Sequence, residues 1–148
     1  MATISRDLTS LYPPVAKIVT AFMGRWNHEQ PDKAGVFEAY RSFSRQGDLY
    51  AQGRTAPGKK VTNAIPGLSW HNYGLAVDVV FDSDPVKPDI QATWQDSKPW
   101  KLLGRMGESF GLEWAGDWVA MKEFPHFQLT YGLQLSEAYE LHQIGGIE

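Results

Sequence analysis

A carboxylate in the middle of an apolar run constrains this chain more than any other feature. Leu75-Ala76-Val77-Asp78-Val79-Val80-Phe81 has the length and β-branched content of a buried strand, and Asp78 interrupts it. An ionised carboxylate left unpaired among such residues costs several kcal/mol. The fold must therefore supply a cation, hydrogen-bond donors or a metal ion at that point. Strand alternation puts Gly74, Ala76 and Asp78 on one face and Leu75, Val77, Val79 and Phe81 on the other. The second face is pure core. The first carries small residues around a charge, which leaves room for a metal and a ligand. Gly74 marks a turn with positive φ or a close backbone approach, and such a turn brings His71 back over the end of the strand.

His71 and the more distant His126 offer neutral nitrogen ligands. With Asp78 they make a three-ligand zinc site with one position open to water, an arrangement of catalytic rather than structural zinc. Glu123, three residues before His126, is available as a general base. Taken singly, each residue has a plainer role. A histidine can be satisfied in a core, Asp78 can pair with Arg41 or another cation, and Glu123 can be a solvated loop acid. The chain contains no cysteine, so any metal must use His, Asp or Glu. His28-Glu29 is not a zincin helix motif, because position 32 is Asp32. Gly67-Leu68-Ser69-Trp70-His71 is not a nucleophile elbow, because its fifth residue is His. His28 and His142 sit in polar helical contexts and are expected to be exposed.

The 148 residues, 43% of them hydrophobic, suit one catalytic-size domain, 1–148, with a real core. A net charge of −3 and a pI near 5.8 leave no basic stripe for nucleic acid and no Lys/Arg cluster for an anionic membrane surface. Met1 to Asp7 lacks the apolar run and cleavage site of a signal peptide, and no apolar stretch is long enough to span a bilayer. No export route of its own is expected.

Periodicity and punctuation predict an α+β chain. A helical region runs from Leu8 to Trp26, its main segment opened by Pro13-Pro14, with Val15, Ile18, Val19 and Phe22 at helical spacing. A strand follows over 35–40, then a helix over 42–52 closed by Gly53. Residues 54–70 and 82–97 read as polar loops on either side of the strand 75–81. A helix over 99–110 puts Leu102, Leu103, Met106 and Phe110 on one face. A short strand over 127–129 and a last helix over 136–143, with Ser136 as a possible N-cap, complete the chain.

The pattern Ser69-x-His71-x-x-Gly74-x-Ala76-x-Asp78, followed by Glu123-Phe124-Pro125-His126-Phe127-Gln128, resembles the zinc D-Ala-D-Ala carboxypeptidase and L-alanyl-D-glutamate peptidase family, which includes VanX- and VanY-type enzymes and single-domain phage endolysins. Ala39-Tyr40-Arg41-Ser42, Gln46, Leu49 to Thr55, Gly111-Leu112-Glu113-Trp114 and Gly116-Asp117-Trp118 follow the family's order. The resemblance implies a small antiparallel sheet flanked by helices, of the hedgehog/DD-peptidase type, with Zn2+ on one sheet face. It implies that His71, Asp78 and His126 are the metal ligands, Glu123 the base, Arg41 a cationic clamp for the substrate carbonyl, and Ser69 a hydrogen-bond donor to substrate. Endolysin relatives often place Asp at the base position; Glu123 adds one methylene. Arg45, Gln46, Arg54 and Asp117 are expected to be structural or supporting.

The Gly53-Arg54-Thr55 and Pro-His-Phe-Gln details are most similar to the endolysin branch. That implies a monomeric peptidoglycan hydrolase cutting stem peptides between L-Ala and D-Glu. Such an enzyme is made in the host cytoplasm and reaches the wall after a holin opens the membrane. The alternatives are a D,D- or L,D-carboxypeptidase of the same family and a catalytically silent zinc-containing wall-binding domain.

Overall fold

The computed structural model describes residues 3–144, so Met1, Ala2 and residues 145–148 lie outside the described residues. After a 3₁₀ turn over Leu8–Ser10, capped by the Asp7 carboxylate, helix α1 spans Pro13–Glu29. The helical region expected from Leu8 onward is broken at Tyr12, which is extended and gives its N–H to the Gly74 carbonyl at 3.1 Å. Pro13 and Pro14 occupy the first helical turn, where no backbone donor is lost. Val15, Val19, Phe22, Met23 and Trp26 form its buried stripe. The last turn outruns the apolar pattern, with an exposed Arg25–Glu29 pair at 3.0 Å.

Among the described residues five strands form one antiparallel sheet: β1 Ala34–Glu38, β2 Ala76–Asp82, β3 Ala92–Thr93, β4 Glu113–Trp114 and β5 His126–Gln128. The spatial order is β1-β2-β5-β4, and β3 pairs with the end of β2. β3 lies inside the segment expected to be a loop, and β4 was not expected. Two-residue strands are too short to carry a periodicity. Helices α2 Phe43–Ala51, α3 Trp100–Ser109 and α4 Leu135–Gln143 complete the fold. Ser136 does not cap α4. Gln134 does, its backbone N–H bonded to the Glu137 carboxylate at 2.9 Å in a reciprocal capping box.

One face of the sheet is the core. Val77, Val79, Phe81, Trp114 and Phe127 are buried there with the α1 stripe and Leu103 of α3. α3 lies close on the sheet because a Cβ at Gly104 would run into the Trp114 indole. Of the residues expected on the apolar face of α3, Leu103 is buried as expected and Leu102 is exposed. Among the described residues no helix is long and apolar enough to cross a membrane.

Two local devices aim the opposite face. Gly74 has φ +69°, and a Cβ there would stand 2.7 Å from the Tyr12 nitrogen, so the chain turns tightly into β2 only with glycine at this point. β1 carries a register irregularity between Val36 and Glu38. Val36 pairs with Val79 and Glu38 with Asp78, so the extra residue, Phe37, lets a glutamate rather than a phenylalanine stand beside Asp78.

Candidate metal and active site

The sheet register builds the site. Glu38 of β1 pairs with Asp78 of β2, and Asp78 pairs with His126 of β5. Directly paired residues share a face, so three polar side chains stand in a row across the sheet. Gln128, two residues after His126, lies on the same face and pairs with Ala76 on one side and Glu113 of β4 on the other.

His71 enters from above, on the 3₁₀ turn Trp70–Tyr73. Ser69 caps that turn, its hydroxyl oxygen accepting from the His71 N–H at 3.3 Å. Asn72 stitches the turn to the segment after β1 by donating to the Arg41 carbonyl at 2.8 Å, while the Arg41 N–H donates to the His71 carbonyl at 2.9 Å. The loop between β1 and α2 and the turn before β2 are thereby locked together.

His71 Nε2 lies 3.2 Å and His126 Nδ1 3.5 Å from the same oxygen, Asp78 Oδ1. The opposite ring nitrogens are both occupied by acceptors. His71 Nδ1 is 2.9 Å from the Ala39 carbonyl, and His126 Nε2 is 2.7 Å from Gln128 Oε1. The Gln128 amide is oriented in turn by donating to Glu113 at 3.1 Å. In each neutral imidazole the proton therefore sits on the outer nitrogen, and the lone pair of the inner one faces a carboxylate. Two lone pairs aimed at an anion repel it unless a cation lies among them or the rings take up protons. The donor set fits zinc. Ligands about 2.0–2.2 Å from one tetrahedral ion stand roughly 3.3–3.6 Å apart, close to the two separations above. The three candidate ligand atoms all lie within 4.8 Å of one another. The carbonyl and amide behind the histidines are the supports that hold metal-binding imidazoles in one tautomer.

Burial would by itself raise the Asp78 pKa. The two histidines outweigh it through charge and hydrogen bonds and hold the carboxyl far below its ordinary range. Burial likewise pulls His126 down, but Asp78 more than compensates, and the net shift is upward. Both directions express a site built for positive charge next to Asp78.

Arg41 closes the β1 side. Its Nη2 donates to Glu38 at 2.9 Å and lies 3.6 Å from Asp78, and its Nη1 donates to Gln46 Oε1 at 3.0 Å. Its Nε is buried without a hydrogen-bond partner among the described residues. Glu38 also accepts from Arg45 Nε at 3.1 Å. Burial would raise the Glu38 pKa, but the two guanidiniums overcome it and hold the carboxyl below its ordinary range. Asp78 thus has both partners the sequence left open: the arginine and the histidines.

These groups line a cleft of about 880 Å³. Ser69 and Glu123 lie on its wall, and Trp118 stacks obliquely on His126 with ring centroids 5.7 Å apart. Glu123 is exposed, and its carboxylate has no hydrogen-bond partner among the described residues. Its backbone N–H is tied to the Ala115 carbonyl at 3.2 Å. All six residues singled out in the sequence therefore reach one cleft. Asp117 is turned away into a pair with Arg105 at 2.9 Å. His28 is exposed as expected, but His142 is half-buried, its ring against Phe43 and Tyr73. Glu38, Gln128 and Glu113 were missed. A glutamate inside a predicted strand, and a glutamine at i+2 from a candidate ligand on a strand, were the available signals.

Comparison with known proteins follows the same lines. A family model described as D-alanyl-D-alanine carboxypeptidase matches residues 62–129. The peptidoglycan L-alanyl-D-glutamate endopeptidase CwlK of Bacillus subtilis is 38% identical over 102 residues, covering 64% of this chain and 59% of CwlK. The chain thus spans less than two thirds of that relative's length. Among solved structures, the L-Ala D-Glu endopeptidase ChiX of Serratia marcescens superposes with a TM-score of 0.54 at 24% identity, over 88% of this chain and 91% of ChiX. A vancomycin-resistance D,D-pentapeptidase VanY in complex with Zn(II) gives 0.60 at 14% identity, over 98% of this chain and 86% of VanY.

Proposed function

We infer, this chain being VanX/VanY-like in both sequence motif and fold, that it is a zinc-dependent peptidase cleaving the L-alanyl-D-glutamate bond of peptidoglycan stem peptides. The observation that carries the proposal is the convergence of two tautomer-locked histidines on Asp78, in a cleft that also holds Arg41 and Glu123. A purely structural metal site has no use for either of those two.

His71 Nε2, His126 Nδ1 and Asp78 Oδ1 would hold the ion. Zinc in such a site supplies Lewis-acid polarisation of a carbonyl and makes water acidic near neutral pH. The remaining work falls to the chain. Glu123, exposed on the cleft wall, takes a proton from the attacking water and passes it to the leaving amine. Arg41, fixed by Glu38 and Gln46, presents fixed positive charge where negative charge develops on the carbonyl oxygen. The Ser69 hydroxyl, which uses only its acceptor side to cap the His71 turn, keeps its proton for a substrate carbonyl.

Specificity for L-alanyl-D-glutamate is supported by the endopeptidase activity in the name of the 38% identical relative. The endolysin role rests on the Gly53-Arg54-Thr55 and Pro125-His126-Phe127-Gln128 details. Its substrate lies beyond the cytoplasmic membrane, so in that role a holin or another permeabilising agent gives access. We take the enzyme to act as a monomer and residues 1–148 as one catalytic domain.

Digestion of purified muropeptides, with mass analysis of the new termini, tests the proposal. New C-terminal L-Ala and N-terminal D-Glu are expected, abolished by a chelator and restored by zinc. Release of terminal D-Ala in their place would make the protein a carboxypeptidase. No cleavage by zinc-loaded protein would leave a silent wall-binding domain.

A further inference from the structure

Cleavage on the amino side of a glutamyl residue raises a question of charge that the machinery above does not answer. Glutamate has two carboxyl groups, and a peptide chain continues through only one. The other is a free anion next to the scissile bond unless it is amidated. Burying that anion in a cleft costs several kcal/mol without a partner. Asp78, Glu38 and Glu123 already place three carboxylates in the cleft, so a further anion needs a cation of its own.

Two cationic side chains, Arg41 and Arg45, are among the residues lining the cleft. Arg41 is committed: Nη1 to Gln46, Nη2 to Glu38 and near Asp78, and Nε buried. Arg45 is not. Only its Nε is used, donating to Glu38 at 3.1 Å. Nη1 and Nη2 have no hydrogen-bond partner among the described residues and are not among the buried polar atoms left unsatisfied, so they keep access to solvent on a residue that lines the cleft. The side chain is 15% exposed, with Glu38 fixing one edge of the guanidinium plane. A planar fork held at one edge and open at the other is the geometry that takes a carboxylate through two parallel N–H bonds.

We propose that Arg45 is the specificity residue for the free carboxylate of the glutamyl residue that follows the scissile bond. Arg41 and Arg45 then divide their work across the shared Glu38: Arg41 serves the reacting carbonyl, Arg45 the neighbouring side group. The inference rests on the endopeptidase reading above and deepens it.

The test compares two soluble stem peptides identical except at that carboxyl, one free and one amidated, with zinc-loaded wild type, Arg45→Gln and Arg45→Lys. Circular dichroism and metal content show that each variant is folded and loaded. Wild type is expected to favour the free acid about 10- to 100-fold in kcat/KM, mainly through KM, the range of a charge-assisted pair. Arg45→Gln should bring the ratio of the two substrates close to one, and Arg45→Lys should restore part of it, since a cation returns without the fork. A wild-type ratio near one overturns the assignment and leaves the peptidase intact. So does a variant that slows both substrates equally. Cleavage of neither peptide by wild type, or release of terminal D-Ala alone, overturns the endopeptidase reading and the role of Arg45 with it.

Discussion

The two faces of β2 are built from one heptapeptide and obey different rules. On one, Val77, Val79 and Phe81 are almost wholly buried, and their partners are Phe127, Trp26 and Trp100. What matters there is volume and contact, because interiors are packed to crystal-like density. On the other, Ala76 and Asp78 share space with Glu38, His126 and Gln128. What matters there is that every charge has a partner in the right orientation. The apolar face tolerates a change of atoms if the shape is kept. The polar face tolerates a change of shape better than a change in who donates and who accepts. Changing one residue from each face should therefore damage different quantities.

The largest effect is expected on the polar face. His126→Ala should remove both metal and hydrolysis, whereas Glu123→Gln should keep the metal and lose roughly 10²–10⁴ of the rate, the usual worth of general acid–base help. Elemental analysis alongside kinetics separates the two. A Glu123→Gln enzyme with near-normal rates would require another base, and Asp117, engaged by Arg105, is poorly placed for it.

Next in size is the neighbour of His126 on the other face. Phe127 is fully buried against Phe22 and the Trp114 indole. Phe127→Ala should cost about 3–5 kcal/mol of stability in denaturant titrations. Zinc should recover part of it, because ligand binding to the folded state adds stability by mass action. A loss below 1 kcal/mol would mean the core face is less tightly packed than its burial indicates.

The smallest effect distinguishes the faces by acid. The folded-state pKa of Glu38 lies below its ordinary value of 4.5. Its ionised form therefore contributes stability that is present above the unfolded-state pKa and is lost as pH falls through the folded value. Metal-free protein should lose stability as pH drops below about 4.5, and Glu38→Gln should flatten that slope while lowering stability at neutral pH. An unchanged slope in the variant would assign acid sensitivity elsewhere, with Asp78 the next group to test.

Legibility in the sequence divides along the same faces. The strand containing Asp78, the Gly74 turn and the helices carrying apolar stripes could be read because each has a period or a stereochemical signature. The candidate ligands could be read because metal chemistry restricts residue type and spacing. The supports could not. Glu38 stands beside Asp78 only because of an irregularity at Phe37, and nothing local signals that shift of register. β3 and β4 exist because a longer neighbour offers them open backbone groups, not because two residues have a preference of their own. Leu102 shows the same limit in a helix: a stripe that correctly includes Leu103 reads one residue too wide, and tertiary packing decides where its edge falls.

The row Glu38–Asp78–His126 also has a consequence for how the chain comes together in time. Its members belong to strands far apart in sequence, and the last of them joins the sheet late along the chain. Pairings of this kind close long loops before any contact rewards them, so they form slowly and near the end of folding. A nascent chain that has not yet brought in β5 carries His71 and Asp78 without His126, and with two ligands it cannot compete for zinc as the finished site does. Metal uptake should therefore follow sheet closure rather than drive it, and the rate at which a refolding sample captures zinc would be a clock for the docking of the three-residue strand β5.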